Sequence, residues 1–322
     1  MTITDSHAAD TKVLRLNAAS LRKIVEPEEA FNFAAIRSGQ VLPDDLLSVA
    51  GLELDLTADQ RAQLSREEAA AMLSMGVAFE SILDAGFSLQ VAMADDLTDP
   101  RVSYMLHEIG EETRHSRAFI RIIEQLSPTA VNPMDTPLLK WLNRRFLPTL
   151  IMSPALLATM VLAGEEIPDL LQKLAADHPD TDPVIAQVNR YHRMEEARHL
   201  AFARTTVGEL YRTATRRERL LIRHLAPLLI DGLFGTFVHP GVYATVGLPT
   251  WATWKAANRT PQRRAVKLAA VRPVLEALMA AGVFAPGRIP RRWRNLCQVD
   301  RRGRPLADSP TLATFGLASS AA

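Results

Sequence analysis

The sequence predicts an all-α protein, a bundle of long helices with additional C-terminal helices. Three observations carry this: helix-start signals recur at bundle-like intervals, strand patterns are hard to find, and one five-residue word occurs twice. The word is Glu111-Glu112-Thr113-Arg114-His115, repeated with one change as Glu195-Glu196-Ala197-Arg198-His199. A carboxylate and an imidazole three residues apart share one helical face, so both can point into a bundle core.

The elements follow in order. Ser65-Arg66-Glu67-Glu68 has the capping-box pattern and predicts a helix from Ser65 to about Leu97. Asp99-Pro100, Ser153-Pro154 and Asp182-Pro183 each put a capping side chain before a proline suited to the first helical position. They predict helices over about 100–126, 154–176 and 183–212, with Pro168 expected to kink the second of these. Thr215-Arg216-Arg217-Glu218 predicts a fifth helix through Leu220 to Leu229. Glycine, proline and tryptophan between Phe234 and Trp254 suggest a packed loop or short helices, and a helix from about Pro261 to Ala281 follows. The expected organisation is a partly disordered N-terminal extension (1–55), a helical domain (56–285) and a basic, partly disordered tail (286–322).

The chain has 322 residues, 48% hydrophobic and 23% charged, with a formal net charge of +1. That balance offers no electrostatic reason to bind nucleic acid or an anionic membrane, so neither is expected as a partner. One cysteine, Cys297, excludes an intrachain disulfide or a thiolate cluster and fits a reducing cytoplasm. The polar stretch Met1 to Lys12 lacks the apolar core of a signal peptide. The longest apolar run, Leu147 to Gly164, is broken by Pro148, Ser153 and Pro154, and it reads as buried helix rather than membrane span.

The two words superimpose after a shift of 84 residues (195 − 111), which suggests a duplicated helix pair. Each half then needs one more carboxylate from the preceding helix. Glu80 is the candidate in the first half, because the other acids of its helix lie at the ends. Glu165 or Glu166 serves the second half; Glu165 precedes Glu196 by 31 residues and Glu80 precedes Glu112 by 32, which favours Glu165. His192, Glu196 and His199 form one stripe at i, i+4 and i+7, so His192 could add a third imidazole. The matching position in the first word is Glu108, expected to support the ligands rather than join them. Arg114 and Arg198 are expected to partner Glu111 and Glu195. Four inward glutamates repel and resist desolvation unless cations neutralise them. Carboxylate with imidazole suits iron or manganese, as in ferritin-like di-iron proteins.

The stretches His107-Glu108-x-x-x-Glu112-x-x-His115-Ser116 and His192-x-x-x-Glu196-x-x-His199 resemble the motifs of the AurF-type non-haem di-iron N-oxygenases, over about residues 60 to 240. The resemblance implies a ferritin-like fold, a homodimer, and oxidation of an aryl amine to hydroxylamine, nitroso or nitro. It also implies two iron ions and dioxygen, with Glu80, Glu112 and His115 on one iron, Glu165, His192 and His199 on the other, and Glu196 also at the metals. An aminobenzoate would need a cation, yet the turns before Glu80 carry Met72, Met75, Val77 and Phe79. No Gly-x-Gly-x-x-Gly fingerprint is present, so an external electron donor or reductase is expected. The rivals are a di-iron hydroxylase or desaturase acting on carbon, a ferroxidase or iron-storage protein, and a metal-free helical interaction protein.

Overall fold

The computed structural model describes residues 3–22 and 24–317. Helix α1 (Ile3–Ser20) and the short α2 (Pro27–Ala30) lead into α3 (Ala58–Ala92) and α4 (Pro100–Leu126). Then come α5 (Pro137–Ile151), α6 (Pro154–Asp177) and α7 (Pro183–Thr213). The C-terminal part holds α8 (Arg216–His224), α9 (Ala226–Thr236), α10 (Gly241–Ala244), α11 (Thr250–Ala257), α12 (Pro261–Ala280) and α13 (Arg291–Cys297). No strand occurs among the described residues, only an isolated bridge between Val299 and Pro305. The fold is all-α and ferritin-like, as the sequence predicts.

Two antiparallel pairs, α3 with α4 and α6 with α7, form the bundle. Their starts follow from short polar residues: Asp99 accepts from the Arg101 N–H, and Asp182 accepts from those of Val184 and Ile185. These contacts satisfy amides that a helix leaves bare at its first turn. At the start of α6 the cap comes from elsewhere. Ser153 makes no capping bond, and the buried Glu218 carboxylate of α8 accepts from Ala155 and Leu156 N–H instead. The negative charge there also suits the positive end of the helix dipole.

Several expected boundaries move. The first long helix starts at Ala58, not Ser65, because Thr57 and Gln60 make a complete capping box eight residues earlier. Ser65 lies inside the helix, where its hydroxyl accepts from Val41 N–H and donates to the Ala62 carbonyl. The same helix ends at Ala92 rather than Leu97, and Asp96 instead turns the chain by accepting from Thr98 N–H. The apolar run from Leu147 is split between α5 and α6, and α1 and α5 were not anticipated. The predicted fifth helix breaks at Leu225, because Pro227 has no N–H to continue the ladder. Helix α6 continues through Pro168 to Asp177.

The segments on either side of the 56–285 span are not loose extensions where they are described. Phe33, Val41, Leu42, Leu47 and Val49 are buried with Leu64 and Ala70 of α3. The basic tail is also packed. Trp293 is fully buried against Phe284, and its indole N–H donates to the Ile222 carbonyl, so its flanking arginines sit on an anchored helix. Residues 318–322 of the tail expected to be partly disordered (286–322) lie outside the described residues. Cys297 is buried too. By length and composition α3 is the one described helix able by itself to cross a membrane; here its Glu67, Glu68 and Glu80 are buried against the rest of the chain.

Two close contacts generate tests. Gly164 faces the Phe79 ring, and a Cβ at that position would overlap it. Gly164→Ala is expected to cost about 1–3 kcal/mol by overpacking, read as a lower Tm, with part of the loss recovered in Gly164→Ala/Phe79→Leu. Glu68 is buried, accepts from Ser48 N–H and contacts the Ser48 hydroxyl at 2.5 Å; burial pushes its carboxyl up to about 7. A carboxyl raised in the folded state stabilises the fold below its unfolded pKa, and that contribution is lost as pH rises to about 7. Relative to wild type, Glu68→Gln is therefore expected to lose less stability between pH 4.5 and 7, by at most about 3 kcal/mol, in denaturant titrations at both pH values.

Candidate metal centre

The centre lies between the two helix pairs, roughly midway along them. Helix α3 contributes Glu80, α4 contributes Glu108, Glu111, Glu112 and His115, α6 contributes Glu165, and α7 contributes His192, Glu195, Glu196 and His199. All ten side chains are buried, and Glu108, Glu112, His115 and His199 have no exposure. The i, i+3 spacing of each Glu-x-x-His word accounts for the shared inward face.

The two words meet crosswise. His115 Nδ1 lies 3.3 Å from Glu112 and 3.1 Å from Glu196, while His199 Nδ1 lies 3.1 Å from Glu112 and 3.0 Å from Glu196. Each Nδ1 therefore faces the same two carboxylates. Each Nε2 faces the opposite way: that of His115 is 3.0 Å from Glu195, and that of His199 is 2.8 Å from Glu111. Glu195 and Glu111 belong to the other word in each case. Glu111 in turn takes Arg198 at 2.9 Å, and Glu195 has Arg198 at 3.6 Å and Arg114 at 3.9 Å. Of the expected arginine pairs, Arg198 with Glu195 is present, whereas Arg114 pairs with Glu195 across the bundle in place of Glu111, and the shortest Arg198 contact also crosses to Glu111.

The expected residues are all brought together in one buried volume. His192 packs closest to Glu80, Glu196 and His115. Its Nε2 lies 3.4 Å from Glu80 and 3.3 Å from Glu196, its ring is 4.3 Å from that of His115, and Glu80, His115 and His192 form one compact donor group. The turn of α7 carrying His192 lies against α4 at His115 and Phe119. A second donor group is Glu108, Glu112 and His199, and a third is Glu112, His115 and Glu196. Glu165 and Glu166 also separate. Glu165 lies beside Glu196, near Glu112 and His199, whereas Glu166 turns away to pair with Arg204.

Burial and neighbouring charge set the protonation. Burial, then the adjacent Glu196 carboxylate, pushes Glu165 well up, and burial likewise raises Glu80. Burial pushes Glu108 up to about 8. Burial opposes charge on the histidines, yet the carboxylates around His115 and His199 outweigh it and hold both imidazoles protonated well above their usual range. Burial also opposes charge on Glu111, but His199 and Arg198 bring it down to about 2. Oxygens of Glu108, Glu112, Glu165 and Glu196, and Nδ1 of His192, have no hydrogen-bond partner. Buried polar atoms without partners are costly, and so many aimed at one volume fit a pair of cations.

Ser116 and Asp84 carry no role in the sequence reading. Ser116 donates to Glu80 at 2.5 Å, and Asp84, one turn beyond Glu80, is raised to about 7 by partial burial and the nearby Glu112 and Glu80. Neither has a partner in the repeated word. Glu111 and Glu195 had one: both open the word, but spacing alone does not show that each accepts from the histidine of the other copy.

A cavity of about 780 Å³, counting its open mouth, reaches this centre. Leu73, Phe79, Phe119 and Leu171 give it apolar walls, Glu80, Glu165 and His192 line its inner end, and Gln172 and Asn189 are its other polar side chains. No Lys or Arg lines it.

The chain is 28% identical over 185 residues to the uncharacterized proteins Rv0885 and MT0908 of Mycobacterium tuberculosis and Mb0909 of Mycobacterium bovis. Those stretches are 56% of this chain and 53% of each relative, so the chain spans about half the length of the curated relatives it matches. The model of the family described as P-aminobenzoate N-oxygenase AurF matches residues 13–282, and the chain belongs to that family.

Proposed function

We propose that this protein is a non-haem di-iron oxygenase that uses dioxygen to N-oxygenate an amine, with a neutral aryl amine as substrate. One observation carries the reading: two histidines aim their Nδ1 atoms at the same pair of carboxylates while their Nε2 atoms are held by acids of the opposite repeat. Glu80, Glu112, His115, Glu165, His192, Glu196 and His199 are the residues that would hold the two irons. When bound, the iron pair supplies the redox chemistry that activates dioxygen.

The chain's residues do the rest. Glu111 and Glu195 fix the imidazole orientation by accepting the Nε2 protons, which leaves Nδ1 free to ligate. His199 and, after it, Arg198 keep Glu111 ionised against its burial. The apolar walls exclude water and hold the substrate's ring, with Gln172 and Asn189 available to orient polar hydrogens. The cavity lacks a cation, so a benzoate carboxylate would be buried there unpaired. Electrons come from an external donor in this reading.

Three outcomes test it. Anaerobic reconstitution is expected to give two irons per chain, and His115→Ala and His199→Ala are expected to lose iron while keeping helical circular dichroism. Full iron occupancy in both variants would refute the ligand assignment. Because the metal-free imidazoles are protonated above their usual range, iron must displace protons. Affinity is therefore expected to rise with pH, with proton release measurable in weakly buffered titrations. Product analysis should find oxygen on nitrogen with neutral aryl amines, and kcat/KM for p-aminobenzoate lower by roughly tenfold or more. Products oxygenated or desaturated only at carbon would count against amine oxygenation.

A further inference from the structure

We propose that a second cavity, next to the one that reaches the metal centre, binds a small apolar monocarboxylate through Arg263; the inference stands apart from the di-iron reading. This cavity measures about 560 Å³, counting its open mouth. Leu46, Leu47, Leu174 and Val266 give it apolar walls, and Arg263 of α12 lies among them. Leu42, Met72, Leu171 and Ala175 line both cavities, so one partition separates the two spaces.

The side chain itself points to an anion. Arg263 is 9% exposed, and among the described residues its guanidinium has no hydrogen bond and no ion pair. An arginine keeps its proton in a protein, so the cavity wall holds a buried positive charge. Burial works against that charge, and the attraction of Glu68 and Tyr243 offsets it only in part. Both of those groups are engaged elsewhere. Ser48 takes the two Glu68 oxygens, and the Ser48 hydroxyl lies 2.8 Å from that of Tyr243. The Phe234 ring lies over the guanidinium, 4.5 Å from its carbon to the ring centre. That stack covers a face of the plane and leaves the N–H edge for an acceptor.

The backbone supplies an independent argument. Thr260 caps the 20-residue helix α12, and its hydroxyl accepts from Arg263 N–H, so the arginine sits in the first turn. A cation is disfavoured there by the positive end of the helix dipole, and an anion beside it is favoured. Paired oxygens match the arginine fork, and the apolar walls suit a hydrocarbon body. Glu68 and Asp45 also line the cavity, Asp45 exposed and 3.4 Å from His178. Their carboxyl groups disfavour further negative charge, so one carboxylate fits better than a phosphate or a dicarboxylate.

The test is calorimetric titration of the full chain with octanoate and with octanol, which share an alkyl chain and differ in charge. Wild type is expected to bind octanoate about tenfold or more tighter than octanol. Octanoate bound no more tightly than octanol would overturn the inference. Arg263→Met is expected to lose that preference while its Tm stays at or above that of wild type, because an unpaired buried charge is removed. A lower Tm with unchanged octanoate affinity would assign Arg263 to the fold alone and overturn the site. If Arg263→Met does not fold, Leu174→Trp fills this cavity at a residue that does not line the other one, and is expected to abolish octanoate binding. Octanoate affinity unchanged in Leu174→Trp would overturn the placement. None of these readouts needs iron, so they fail or succeed independently of the di-iron reading.

Discussion

The structure depends on placing many acids and imidazoles in a dry interior. Glu80, Glu108, Glu112, Glu165 and Glu196 converge with three histidines, and five of these eight groups keep a buried atom without a hydrogen-bond partner. Removing charges from water costs several kcal/mol per ion, more than scattered ion pairs return. Only a compensating positive charge makes this arrangement favourable, and in its absence protons on His115 and His199 fill that role. The surrounding elements form a rigid wall that keeps these groups from turning outward.

The wall is built from both ends of the chain. Leu42 of the N-terminal segment lines the cavity, and Phe237, just after α9, lines it too. Trp293 and Ile289 of the C-terminal segment complete the hydrophobic cluster around α6 and α12. Glu218 reaches from α8 to the start of α6, the helix that carries Glu165. Elements remote in sequence therefore fix the depth at which this carboxylate enters the centre. The apolar cavity and the polar centre are two faces of one packing arrangement, because Phe79 and Glu80 are neighbours on α3 and both line the same space.

Much of this was legible in the sequence because it is local. Caps followed by proline marked α4, α6 and α7, and i, i+3 spacing marked the inward faces of the two repeated words. What was not legible is non-local. The capping box at Thr57 resembled the one read at Ser65, and only the contact between Ser65 and Val41 shows that the latter is interior. The basic tail from residue 286 reads as partly disordered, and its anchor, Trp293, is held in part by the distant Ile222 carbonyl, a contact the local sequence does not show. The spacing placed Glu108 and His192 at equivalent positions, but their different neighbours, Glu112 and His199 for one and Glu80 and His115 for the other, depend on contacts between helices that spacing does not contain.

The reciprocal bonds from His115 to Glu195 and from His199 to Glu111 have a consequence for assembly. Each hairpin of helices carries a ring whose proton acceptor is supplied by the other hairpin, so neither can complete its interior in isolation. The final docking of the two halves and the organisation of the polar centre are accordingly a single cooperative event. A polypeptide cut between them would yield two fragments, each with a misaligned imidazole until they recombined.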